Sequence, residues 1–146
     1  MRRLMAAIAV LAAVGLAVAS TSSAASRATV KTRHGKIGTF LVGGNGKTLY
    51  LFEKDKTSKS TCYGQCAQFW PPLLTSGKAK AAGKVRGSLL GTTRRKDGKV
   101  QVTYHGHPVY FFSQDARPGD TKGEGFKAFG AKWYVLSTAG KKIDDD

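Results

Sequence analysis

The chain has 146 residues, with 24 Lys and Arg against nine Asp and Glu, a formal net charge of +15 and two cysteines. That length allows one modest domain with a small core. The basic residues are scattered, the densest run being Arg94-Arg95-Lys96, and no nucleic-acid-binding motif accompanies them, so nucleic-acid recognition is set aside.

The N-terminus reads as an address. Arg2 and Arg3 precede an uncharged apolar run, Leu4 to Val18, and small residues close it at Ala17-Val18-Ala19 or Ser23-Ala24-Ala25. This is the anatomy of a secretory signal peptide over residues 1–25. The run is shorter than the roughly 20 residues of a membrane-spanning helix, so no span is expected. No cysteine lies near either cleavage site, so no lipid anchor is expected either. Without Arg2 and Arg3, 22 basic residues face nine acidic ones, a net charge of +13. An exported chain this basic is suited to anionic envelope material.

Residues 26–36 read as a flexible polar lead-in to a domain over 37–140. Within that domain an internal repeat organises everything else. Leu41 to Asp55, LVGGNGKTLYLFEKD, returns as Val102 to Asp115, VTYHGHPVYFFSQD. Val42, Gly46, Leu49, Tyr50, Phe52 and Asp55 answer to Val102, Gly106, Val109, Tyr110, Phe112 and Asp115. A further echo sets Phe69-Trp70 against Lys132-Trp133. Repeat one then covers 37–74, a small and basic linker 75–96, and repeat two 97–138. An acidic tail follows at 141–146.

Gly43-Gly44-Asn45-Gly46 is a hairpin signal. With Asn45-Gly46 as a two-residue loop, Val42 faces Leu49 and Phe40 faces Leu51. Those four then share one face, and Leu41, Tyr50 and Phe52 the other. With His105-Gly106 as the second loop, Val102 faces Val109 and Val100 faces Phe111, with Tyr110 and Phe112 opposite. Pro108 falls at a non-hydrogen-bonded position, where its missing N–H breaks no bond. Asp55 and Asp115 end their strands, and each carboxylate is expected to accept backbone N–H groups or a nearby Tyr hydroxyl. A motif duplicated with its strand speaks for a folding need rather than for two active sites.

The unduplicated constellation is Thr61 to Pro72, TCYGQCAQFWPP. Two cysteines in an exported chain point to a disulfide. Four residues apart on a regular helix they sit too far apart, so Gly64 is expected to break a short helical turn between them. The rival reading is thiol redox or copper handling, with Cys62, Cys66, His105 and His107 as a soft-metal set. His105 reads more simply as a turn residue and His107 as a strand-end side chain. No catalytic residue, metal or cofactor is assigned. A hydrolase built on Asp55 or Asp115 lacks any recognisable triad or metal spacing.

The pattern Tyr-x-Phe-x-x-Asp, present as Tyr50-Leu51-Phe52-Glu53-Lys54-Asp55 and Tyr110-Phe111-Phe112-Ser113-Gln114-Asp115, resembles a bacterial secreted-repeat family of unknown function. That family is named for a Tyr-X4-Asp motif and is common in lipoproteins. TCYGQCAQFWPPL, Pro118-Gly119-Asp120-Thr121 and Trp133-Tyr134 resemble its other hallmarks. Many members carry a lipid-modified cysteine, which this chain lacks. The resemblance implies location and repeat organisation, and no reaction.

Together these readings give an all-β single domain of two tandem, pseudo-symmetric hairpin units with a short helical turn at the cysteines. Its expected function is that of a secreted, non-catalytic envelope module whose partner is an anionic wall polymer or an envelope protein.

Overall fold

The computed structural model describes residues 9–18 and 26–144. The expected signal peptide falls in large part outside these residues. Among the described residues, no helix is long and apolar enough to cross a membrane.

The chain is built mainly of short strands. They are β1 (Thr29–Gly35), β2 (Gly38–Gly43), β3 (Tyr50–Phe52), β4 (Lys80–Ala81), β5 (Leu90–Arg94), β6 (Val100–Tyr104), β7 (His107–Pro108), β8 (Lys127–Ala128) and β9 (Ala131–Val135). Among the described residues one α-helix, α1 (Gln65–Phe69), follows the first motif, and a single 3-10 turn spans Gly87–Leu89. The described residues form three small sheets, ordered β2-β1-β4, β3-β9-β8 and β5-β6-β7.

Each unit opens with a strand that the sequence hides. Thr29–Gly35 was expected as lead-in, yet it pairs antiparallel with β2 from Val30↔Gly43 to Gly35↔Gly38. Leu90–Arg94 was expected as linker, yet it pairs with β6 from Leu90↔Tyr104 to Arg94↔Val100. Both strands are mostly polar on one side, so neither carries the hydrophobic signal of a core strand. The tail is also partly structured: Lys142 bridges to Leu136, and Ile143 N–H donates to Val135 O at 2.8 Å.

The two hairpin tips differ. His105 (φ 49°) and Gly106 (φ 77°) form the expected two-residue loop, with the positive φ at both positions that a type I′ turn requires. Tyr104 faces His107, Thr103 faces Pro108, and Val109 N–H donates to Val102 O at 3.1 Å. The first tip takes three residues, Gly44-Asn45-Gly46, not two. Gly43 N–H donates to Lys47 O at 2.8 Å, and Gly46 N–H donates back to Gly43 O at 2.9 Å. This is a turn closed by a left-handed glycine, Gly46 at φ 81°. Asn45 Oδ1 secures it by accepting the Lys47 N–H at 3.0 Å.

The extra loop residue moves the first register by one. Leu41, not Val42, lies opposite Leu49, and the two faces are re-sorted. Leu41, Leu49 and Leu51 join Val30, Leu90, Val102, Val109 and Leu136 in one core cluster. Phe40 and Val42 join Tyr50, Phe52, Trp70, Tyr110, Phe112 and Trp133 in a second, aromatic one. A one-residue slip in a period-two pattern reverses every side chain it reaches. Leu41 is therefore the structural equivalent of Val102.

The units exchange their closing segments. The second unit's last strand, β9, lies on the first unit's β3, with Tyr50↔Val135 and Phe52↔Trp133. In return Pro72 bridges to Tyr110, and Leu73 accepts from Val102 N–H at 2.9 Å. At the centre Tyr50 and Tyr110 bond to each other, N–H to O, at 2.8 and 3.0 Å. A pseudo-twofold axis passes between these two residues.

Candidate functional site

The motif residues meet around that axis, and they are crossed. Tyr50 hydroxyl donates to Asp115 Oδ2 at 2.6 Å, and Tyr110 hydroxyl donates to Asp55 Oδ2 at 2.6 Å. Each tyrosine thus bonds the aspartate of the other repeat, while the backbone between the tyrosines forms the strand pair. All four side chains are buried. A hydrogen bond to a buried charged group is worth roughly 1.5–3 kcal/mol, so the two pairs contribute substantially to joining the halves.

The rings repeat the crossing. Trp70 stacks on Phe112 with centroids 4.1 Å apart, and Trp133 stacks on Phe52 at 3.9 Å. Trp70 and Trp133 stack on each other at 4.0 Å, which completes a four-ring column. Tyr50 stands edge-on to Trp70 at 5.4 Å, and Tyr110 edge-on to Trp133 at 5.1 Å. Both tryptophans are essentially inaccessible to solvent.

Around Asp55 the network is extensive. Thr61 donates to Asp55 Oδ1 through its N–H (2.8 Å) and its hydroxyl (2.6 Å). Ser60 Oγ lies 2.7 Å from the Tyr110 phenolic oxygen and accepts from Arg95 Nη1 at 3.0 Å. Arg95 is buried and also donates to Gln101 Oε1 and Cys62 O, both at 2.7 Å. Its guanidinium carbon sits 4.4 Å over the Tyr63 ring. Around Asp115 the support is plainer: Lys122 N–H donates to Oδ1 at 3.0 Å, and Gly123 N–H to the Tyr50 oxygen at 3.2 Å.

Electrostatics follow the burial. Desolvation lifts both carboxyls above the ordinary carboxylate value, while their Tyr, Thr61 and Lys122 donors pull them back down. Burial raises the phenols of Tyr50 and Tyr110 far above the ordinary tyrosine value, and the facing carboxylates raise them further. Neither phenol is an acid at neutral pH.

Cys62 and Cys66 are joined to each other, with Cα atoms 5.3 Å apart. Gly64, at φ 57°, caps α1 and leaves Cys62 outside the helix, which lets the small ring close. The bond leaves neither sulfur free as a thiolate ligand. His105 and His107 instead line a cleft of about 720 Å³ with Asp55, Glu53, Lys56 and Lys142, which neither cysteine lines. Burial and then His105 lower the His107 pKa. Sequence reasoning missed Arg95, Ser60 and Gln101, whose roles depend on contacts across 35 residues or on the hidden strand β5.

Two further clefts border the β8–β9 hairpin. One, of about 210 Å³, is apolar and lined by Phe69, Trp70, Phe112, Phe126 and Phe129 among others. The other, of about 410 Å³, holds Lys54, Lys56, Lys127 and Lys132 with Glu53. Phe126 and Phe129, 43 and 37 % exposed, were not singled out in the sequence, and Phe69, 40 % exposed, entered it only through the echo it shares with Trp70.

A duplicated, mutually braced β-unit of this kind defines a tandem-repeat protein whose signature residues join the repeats. The chain belongs to the Lipoprotein_15 family, described as a secreted repeat of unknown function, which matches residues 31–74 and 91–137. The first match takes in most of β1 and the second most of β5, so the repeat unit is the one with its hidden first strand. The protein is accordingly secreted, with an extracytoplasmic location. No curated protein and no solved structure matches the chain.

Proposed function

We propose that the protein is a non-catalytic cell-envelope module that binds an anionic wall polymer through its basic surface. The observation that carries this reading is the lysine cleft: Lys54, Lys56, Lys127 and Lys132 line it against a single acid, Glu53, which Lys142 engages at 3.1 Å. An open cleft with this charge balance attracts polyanions, and the excess of basic residues over the rest of the chain adds long-range attraction.

The non-catalytic half of the proposal is supported by the state of the motif. Tyr50, Tyr110, Asp55 and Asp115 are buried and bonded to one another, and raised phenol pKa values make poor nucleophiles or bases. The test is co-sedimentation of the secreted protein with purified cell wall over a salt series. Binding should weaken steadily with ionic strength, and Lys54→Ala/Lys127→Ala/Lys132→Ala should release the protein at lower salt with an unchanged Tm. Retention indifferent to salt, or to the triple substitution, contradicts the proposal.

A further inference from the structure

Resting on that reading, we infer that the β8–β9 hairpin is a sugar-binding edge: it seats the ring face of an acidic pyranose on Phe129 and Phe69 and its anionic group among Lys127, Lys132 and Lys54. The ligand class is an acidic polysaccharide, with one carboxylate or phosphate on the sugar.

The first support is the placement of two chemistries on one short hairpin. Lys127 faces Lys132 and Ala128 faces Ala131, with Phe129-Gly130 as the tip. Phe126, Ala128 and Phe129 line the apolar cleft, while Lys127, Gly130, Ala131 and Lys132 line the basic one. A ligand lying across the hairpin meets an aromatic wall on one side and cations on the other. A bare polyanion uses only the second, and a neutral apolar chain only the first. A charged sugar ring uses both, since its C–H face packs on aromatic rings.

The second support is backbone strain. Phe129 has φ 56° and Gly130 φ 93°. That is the two-residue turn for which Asn-Gly is the favoured pair, and a bulky residue at positive φ is an outlier. Such strain concentrates at ligand sites. The Phe129 ring stays 37 % exposed, and the ring it meets is that of Phe69, 6.1 Å away and itself 40 % exposed. The aromatic at this tip works against the turn that carries it.

The opposed demands give the test. Isothermal titration of the mature protein would use three probes: a hexauronate oligosaccharide, a linear polyphosphate of equal charge, and a neutral hexasaccharide. The hexauronate should bind most tightly. Phe129→Asn should raise Tm, weaken hexauronate binding about tenfold and leave polyphosphate binding unchanged. Lys127→Ala/Lys132→Ala should weaken both anionic probes. The inference is overturned if Phe129→Asn binds hexauronate like the parent, if it lowers Tm, or if polyphosphate matches hexauronate. Failure of both anionic probes to bind would sink the wall-polymer reading as well.

Discussion

The two crossed Tyr–Asp pairs share a bond length of 2.6 Å and little else. Asp55 and Tyr110 sit in a side-chain network, with Thr61, Ser60, Arg95 and Gln101 around them and a disulfide fixing the loop that supplies two of these. Asp115 and Tyr50 rely on the backbone N–H groups of Lys122 and Gly123. The loop after each motif thus solves one problem, satisfying a buried carboxylate, by different means. What is common to both halves is the crossing itself, and the supports vary around it.

The largest break in the comparison is expected at Arg95. Its removal strips partners from Ser60, Gln101 and Cys62 O and leaves a cavity, so Arg95→Ala should lose about 3–5 kcal/mol in urea unfolding. Lys122→Ala, on the plainer side, should stay within about 0.5 kcal/mol, because its hydrogen bond to Asp115 comes from the backbone N–H and its side-chain charge adds only a weak attraction. Next come the phenols. Tyr50→Phe orphans Asp115 Oδ2 and the Gly123 N–H, and should cost about 3 kcal/mol. Tyr110→Phe leaves Asp55 two Thr61 donors and should cost about 2 kcal/mol. The reverse order would show that the network, not the crossing, governs stability.

Replacing both cysteines by alanine should cost about 2 kcal/mol for so small a ring. Hydrogen exchange should then rise at the Thr61 amide and not at the Lys122 amide. Equal rises would mean that the two sites are not independently supported.

The smallest effect is the pH dependence. Both carboxyls titrate above the ordinary carboxylate value. A raised folded pKa contributes stability that is present below the unfolded value and lost as pH rises through the folded one. The advantage of the parent over Asp115→Asn should therefore grow as pH falls from neutrality towards about 4, as read by parallel urea unfolding curves.

The repeat, its tyrosines, the His105-Gly106 turn and the turn around Gly64 were all legible in the sequence, because each rests on local chemistry. The first register was not. Gly43-Gly44-Asn45-Gly46 accommodates a two- or a three-residue loop, and the choice decides which face Phe40 and Leu41 occupy. β1 and β5 were hidden because Thr, Lys and Arg dominate them, and pairing with β2 and β6 rather than burial defines them. The crossing was invisible for a different reason. A repeated Tyr and Asp look the same whether each pair closes within its copy or between copies, and only the exchange of β9 against residues 71–74 decides it.

A double-mutant cycle tests that crossing most directly. Tyr50→Phe combined with Asp115→Asn, and Tyr110→Phe with Asp55→Asn, should each show a coupling energy of about 1–2 kcal/mol. The within-motif combinations, Tyr50→Phe with Asp55→Asn and Tyr110→Phe with Asp115→Asn, should add to within about 0.5 kcal/mol. Coupling within each motif and additivity between motifs would contradict the account.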